Sequence, residues 1–435
     1  MSCGRALRRR PLAGRVLGLA RVKVLSLFTG AGGLDIGLER AGFEISGCVE
    51  ADNGCQSTLR ANRDWALLEP GDIHAHRPSD ILAALGIARG DITLLAGGPP
   101  CQPFSKSGQW KHGSPRRMRD PRADTLRAYL KVLEAALPDA MLLENVKGIT
   151  ATRKHITHKY EGLDVLRSAL AQINRRHDTS YAPVALVIDA ADYGVPQHRE
   201  RVFVFAAREG LEMTKPDPTH GPVARAANGH APVSVHTTAW DAIGDLDYPE
   251  FDPVLLPVGK WADLLASIPE GANYQHHTAR GPGESLFGWR TRYWSFLLKL
   301  AKAKPSWTIQ AQAGPATGPF HWRSRRLSTA ELKRLQCFPV EWDLVGGATS
   351  ARRQLGNAVP PPIGELLGLA IRRQLLNQQP VSKPPLTPTA RPGCPPPEAL
   401  ATVPVRFLEL RGEHANHPGT GKGPGALARE RMPAA

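Results

Sequence analysis

The chain lacks any C-x-x-C pair in its 435 residues, so the ligand spacing of a structural zinc site is missing. Its six cysteines, Cys3, Cys48, Cys55, Cys101, Cys337 and Cys394, stand apart from one another. In a chain of this length without a secretory signal they are expected to be reduced thiols of a cytoplasmic protein. No apolar run approaches the roughly 18 residues that a membrane helix needs, so no membrane partner is expected. Acids are scarce: 40 Asp and Glu stand against 55 Lys and Arg, a formal charge of +15. That imbalance favours a polyanionic partner such as nucleic acid, although solubility and a bias toward Arg, Ala, Gly and Pro explain charge alone equally well. Met1–Lys23 has no acid, one serine and many arginines. A transit peptide has that look, and a basic arm touching nucleic acid fits as well. There is no internal repeat.

What is present has the alternation of an α/β protein. Val22–Phe28 (VKVLSLF) is a short β-branched apolar run ending near Gly30, the pattern of a buried strand. Leu34–Ala41 has helical spacing, and Ile45–Val49 is a second strand ending at Glu50. Ile92–Ala96, Ala140–Leu143, Val184–Ile188 and Arg201–Ala207 have the same strand character. Thr125–Leu137 and Leu163–Arg175 carry helical periodicity between them. Such alternation predicts a doubly wound, mostly parallel sheet with both faces covered.

Beyond about residue 208 the periodicity fades. Residues 208–325 are rich in Pro, Gly, His and Trp and are expected to form a smaller, loop-rich domain. Helical spacing returns at Ser328–Leu335, where Ser328 and Glu331 make a capping box, and at Pro360–Gln374. The expected organisation is a basic tail (1–21), a sheet domain (22–207), the loop-rich domain (208–325) and a segment returning to the sheet domain (326–376). The Pro/Gly/Arg-rich remainder (377–435) is expected to be disordered, with a short strand at Val403–Leu410.

Four strand ends carry chemistry. Phe28-Thr29-Gly30-Ala31-Gly32-Gly33 joins the first strand to the first helix, where glycines allow a tight turn and close approach to a ligand. Glu50, ending the second strand, is where an acid binds ribose hydroxyls in such folds; alone, it is as well a surface carboxylate. Gly97-Gly98-Pro99-Pro100-Cys101-Gln102-Pro103-Phe104-Ser105 follows the third strand. A thiol held there is a nucleophile if its thiolate is stabilised, and otherwise an incidental buried cysteine. Glu144-Asn145-Val146 follows the next, and sheet topology brings Glu144 toward Cys101. A carboxyl there suits protonation or clamping of a ring nitrogen.

Taken together and in order, these segments resemble the DNA (cytosine-5)-methyltransferase family of the bacterial restriction–modification type. The FxGxGG loop is Phe28–Gly33, the PCQ tripeptide Pro100–Gln102, and the ENV tripeptide Glu144–Val146. The QxRxR motif is Gln197-His198-Arg199-Glu200-Arg201. The late RRLSTAELKRLQCFP signature is Arg325–Pro339, and QxGNxVP is Gln354–Pro360. The resemblance covers residues 22–376 apart from the variable middle. Ser328-Thr329 stands where the family often has Thr-Pro.

The resemblance implies a Rossmann-like fold dependent on S-adenosylmethionine, no metal, and double-stranded DNA as substrate. Cys101 would attack carbon 6 of a flipped cytosine, carbon 5 would take the methyl group, a base would remove the carbon-5 hydrogen, and the cysteine would leave by β-elimination. Glu144 would contact ring nitrogen 3 and the amino group. Arg201 would contact the base carbonyl, and Arg199 would be structural or bind backbone. Phe28, Gly30, Gly32, Gly33, Leu34, Glu50, Asp72, Ile73, Asn357 and Val359 would form the methyl-donor site. The basic stretch Phe104–Arg122 would close on DNA, and residues 208–325 would recognise the target, with Trp289–Trp294 and Gln310–Trp322 as candidates. The physics agrees: carbon 6 is a poor electrophile, and a base inside a duplex is unreachable until it is flipped.

Two alternatives remain. The branch that methylates cytosine in transfer RNA carries a Cys-Phe-Thr tripeptide, but here Cys337-Phe338 is followed by Pro339. A catalytically inactive DNA-binding regulator is opposed by the intact Cys101, Glu144 and cofactor loop. The layout suggests a monomer working in the bacterial cytoplasm on nucleoid DNA, with a restriction endonuclease as functional partner.

Overall fold

Lys23 is the one position of β1 (Val22–Leu27) that is not buried, as suits a strand covered on both faces. In the computed structural model, which describes residues 22–100, 124–150, 162–224, 233–287, 294–379 and 383–411, β1 runs parallel to β2 (Phe43–Val49) on one side and β3 (Leu94–Gly97) on the other. β4 (Ala140–Asn145) extends the parallel run. β5 (Val184–Asp189) and β4 flank β7 (Glu200–Ala207), which is antiparallel to both. The six-stranded order is β2-β1-β3-β4-β7-β5. β6 (Gln197–His198) lies outside this sheet and pairs with Ser306–Trp307.

Alternation within the strands feeds two cores, one on each face. Val24, Leu94, Leu142, Phe203 and Phe205 pack with Leu34 and Leu38 of α1 (Gly33–Arg40). Leu25, Leu95, Met141, Leu143 and Val202 face the other way, onto Ile81 of α3 (Pro78–Ala84), Tyr129 of α4 (Asp124–Ala136) and Leu170 of α5 (Gly162–His177). α2 (Asn53–Asn62) opens on an Asp52 cap that accepts from the Cys55 amide. The sheet is therefore doubly wound and mostly parallel. β3 starts and ends later than Ile92–Ala96, and Glu144 belongs to β4 itself, since pairing with β7 carries that strand on to Asn145.

The second lobe has little regular structure. Short helical turns surround an aromatic cluster of Trp261, Tyr274, Phe287, Phe296 and Phe320, and α6 (Ala239–Ile243) packs in a separate core with Trp322 and Leu332. Its many Pro and Gly residues interrupt ladders and helices, which is why periodicity is absent there. After it the chain returns through α7 (Thr329–Leu335), α8 (Gly347–Asn357) and α9 (Pro361–Gln374). α9 lies backbone to backbone on α1. A side chain on Gly37 would collide with the Pro361 carbonyl and the Glu365 amide, and one on Gly364 with the Leu34 carbonyl. Arg40 and Glu365 close the pair at 2.7 Å.

The tail departs from expectation in its described part, residues 383–411. The Pro384 carbonyl accepts from Arg40 of α1, the Arg391 amide donates to Asp241 at 2.7 Å, and Glu398 pairs with buried Lys302 at 2.8 Å. Phe407 stacks on Trp261 with ring centroids 5.7 Å apart. The segment is a strap over both lobes. Composition predicted disorder because proline forbids ladders, yet proline carbonyls still accept hydrogen bonds and one buried aromatic ring anchors the end. Within Val403–Leu410 the structure has α10 (Val405–Leu408), a single helical turn after Pro404, in place of the expected strand.

Candidate functional site

Three residues of the first loop have left-handed backbone: Phe28 at φ 56°, Gly30 at 60° and Gly32 at 81°. Two are glycines, as this region demands; Phe28 is held there while its amide donates to the Val49 carbonyl at 2.7 Å. Gly33 has no room for a side chain, which would meet the Val359 carbonyl and Phe338. Gly30 has open space beside it. The loop is thus sealed on one side by the late QLGNAVP segment and free on the other.

Glu50 spans this free side. One oxygen accepts from the Gly30 amide and the other from the Asp52 amide, each at 2.7 Å. Burial raises its carboxyl above the usual range, against those two backbone bonds. Gly71 packs onto the Glu50 carbonyl too closely for any side chain, which brings exposed Asp72 and buried Ile73 alongside. Asp72 caps a short turn by accepting from the His74 amide at 2.9 Å. Asn357 ends α8, exposed, two residues before Val359. Leu34 has its side chain in the core, so at this site it presents backbone only.

The other half of the site lies at the ends of β3, β4 and β7. Arg201 Nε is 3.0 Å from Glu144 Oε1, with 16% and 13% of the two side chains exposed. The other Glu144 oxygen faces Gly98, 3.1 Å from where a β-carbon would stand. Asn145 Nδ2 donates to the Pro99 carbonyl at 3.2 Å. Burial raises the Glu144 carboxyl, and Arg201 and then Arg199 pull it down. Arg199 itself is buried; its Nη2 donates to the Gly356 carbonyl at 2.9 Å, tying β7 to α8. Gln197 ties the same segment to α7, donating to the Leu335 carbonyl at 3.3 Å. The Ser328–Glu331 capping box is formed, and Glu331 also holds Arg325 at 2.6 Å. Cys101, the basic stretch Phe104–Arg122 and most of Trp289–Trp294 lie outside the described residues.

One residue near the loop escaped the sequence reading. Asp35, in the first turn of α1, is 1% exposed, and burial pushes its carboxyl up to about 7, against a bond from Ser26. The signal was an acid between two core residues, Leu34 and Ile36. The unfolded carboxyl titrates near ~3.9, so the folded chain holds the extra proton between about pH 4 and 7. Stability therefore falls as pH rises through that window and stays low above it. Asp35→Asn is expected to remove this slope and to stabilise the fold at pH 8 by up to about 4 kcal/mol. Thermal unfolding from pH 5 to 8 checks it; an unchanged slope in the variant counts against the assignment.

The chain matches, over residues 22–373, the family model described as C-5 cytosine-specific DNA methylase. It is 38% identical over 377 residues to the type II methyltransferase M.SacI of Streptomyces achromogenes, spanning 81% of this chain and 93% of that protein. It is 31% identical over 348 residues to the type II methyltransferase M.NgoFVII of Neisseria gonorrhoeae, spanning 78% and 83%. Among solved structures, the Entamoeba histolytica methyltransferase EhMeth has a TM-score of 0.53 at 15% identity, covering 82% of this chain and 99% of that one. Spodoptera frugiperda DNMT2 has a TM-score of 0.52 at 17% identity, covering 80% and 99%. At those identities the likeness is one of fold.

Proposed function

The chain belongs to the C-5 cytosine-specific DNA methylase family and transfers methyl groups from S-adenosylmethionine to carbon 5 of cytosine in DNA, and we propose that Cys101, Glu144 and Arg201 carry that reaction. The observation that supports this most is the Arg201–Glu144 pair, 3.0 Å apart, set over the Gly98-Pro99 turn that leads into Cys101. Asn145 fixes the Pro99 carbonyl, so the chain enters Cys101 from an anchored point beside Glu144.

The loop residues suit the methyl donor. The open side of Gly30 and the Glu50 carboxylate offer a ligand close backbone approach and an acceptor for hydroxyl groups. Phe28, Gly30, Gly32, Gly33, Glu50, Asp72, Ile73, Asn357 and Val359 would hold it, with Leu34 contributing its amide. When bound, S-adenosylmethionine presents an electrophilic methyl group. The chain's own residues do the rest. Cys101 adds to carbon 6 of the cytosine, Glu144 holds a proton at ring nitrogen 3, and Arg201 fixes Glu144 while facing the base carbonyl. Arg199, buried against Gly356, is a positioning residue.

We further assign this enzyme to the protective half of a restriction–modification pair. The names of its type II relatives support that role, as does a single chain carrying the whole motif set, which suits a monomer working on chromosomal DNA in the cytoplasm. Incubation with unmethylated genomic DNA and S-adenosylmethionine, followed by base-resolution sequencing of 5-methylcytosine, is expected to show methylation confined to one short motif. Transfer to RNA alone would favour the transfer-RNA branch. Transfer to neither, with cofactor bound, would mark an inactive regulator.

A further inference from the structure

We propose that Trp294 and Trp307, with His198 beside them, form an aromatic ledge that packs on a deoxynucleotide flanking the target cytosine. Both indoles face solvent, at 50% and 38% exposure. Single exposed apolar side chains are ordinary; two large rings in mutual contact are less so. Their centroids are 5.4 Å apart with planes at 71°, and Trp307 lies 5.8 Å from the His198 ring. An exposed indole offers a flat apolar face and one donor, the features on which bases and sugars stack.

The ledge is held in place. Ser306–Trp307 pairs in parallel register with Gln197–His198, and the Ser306 amide donates to the Pro196 carbonyl at 2.8 Å. Thr308 Oγ1 donates to the His198 carbonyl at 2.7 Å. Asn273 holds the Trp294 carbonyl at 2.8 Å. His198 bonds Asp189 at 2.9 Å, and that bond raises the imidazole toward its charged form.

Position argues for DNA as the occupant. His198 precedes Arg201 by three residues, a reach of at most about 10 Å, and paired strands lie about 4.8 Å apart. The Trp307 backbone is therefore within about 15 Å of Arg201, which is four or five base-pair steps along a duplex. A duplex delivering cytosine to Glu144 therefore runs close to Trp307, and Trp294 lies against that ring. The ledge presupposes that placement of the target, as proposed above.

Trp307→Ala is expected to weaken binding of a duplex containing the methylated motif by about 10- to 100-fold, with Trp294→Ala somewhat milder and Trp307→Phe restoring most of the affinity. The dissociation constant for S-adenosylmethionine, measured by calorimetry, should stay unchanged and certifies the fold. In the intact protein, duplex DNA should shield tryptophan fluorescence from acrylamide, and the doubly substituted Trp294→Phe, Trp307→Phe protein should lose that part of the shielding. Unchanged duplex affinity in both alanine variants, or equal shielding in the phenylalanine pair, overturns the ledge. Such a result with normal methylation by the wild type leaves the catalytic assignment standing. Absence of methylation by the wild type would instead remove that assignment.

Discussion

Replacing Cys101 by serine should lower methyl transfer by about 10^4-fold or more, with binding of DNA and S-adenosylmethionine nearly unchanged. The exchange removes one sulfur in favour of one oxygen and alters little volume. It changes the chemistry outright. A thiolate forms near neutral pH when a positive group or a helix end stabilises it, and an alkoxide does not. Addition to carbon 6 then loses its nucleophile while the Gly30 loop, Glu50 and the Glu144–Arg201 pair stay as they are. Single-turnover transfer of labelled methyl to a target duplex, alongside binding titrations for each ligand, tests this. A fully active serine variant would falsify the covalent mechanism.

Glu144→Gln is expected to have the next largest effect, a fall of about 10^2- to 10^4-fold in rate. An amide of the same shape keeps a hydrogen-bonding group against Arg201 but cannot hold a transferable proton at the ring. Burial raises the Glu144 carboxyl and so favours the protonated form, while Arg201 and Arg199 hold it back from losing its charge altogether. If the acid form is the one that reacts, the wild-type rate falls as pH rises through the raised value, and the glutamine variant lacks that limb. Cofactor affinity should not move, because Glu50 and the glycine loop lie at the ends of other strands. Loss of cofactor binding in the variant would show that Glu144 has been misplaced.

Most of the motifs were legible because they sit at a strand end or beside a helix terminus, where residue identity is dictated locally. Glycines at 30 and 32 announce left-handed backbone, and the Ser328 and Glu331 pair announces a cap. Relations between distant segments were not legible. Nothing in the order of residues says that β7 enters antiparallel between β4 and β5, or that Arg199 ends on the Gly356 carbonyl. Gly33 is explained by Val359 and Phe338, each more than three hundred positions away, which occupy the space a side chain would need. Asp35 stayed hidden because a helix turn with one acid looks exposed until its neighbours are placed. Trp307 stands in a stretch without periodicity, where composition offers no clue to which rings pack inward. The tail misled for the opposite reason: its proline content was real, and its few anchoring side chains were outweighed in any average.

The strap bears on how target choice could be exchanged between relatives. Lys302 sits against Glu270 and Glu398 together, and Trp261 has Phe407 laid across its ring. The lobe expected to recognise the target is therefore finished by residues that follow the whole family match, which ends at 373. A chimera made by transplanting 208–325 alone would inherit a lysine short of one carboxylate and a tryptophan without its cover. The transferable cassette is expected to be discontinuous, the lobe together with 383–411, with the two pieces diverging in step while the helices α7 to α9 between them stay constant.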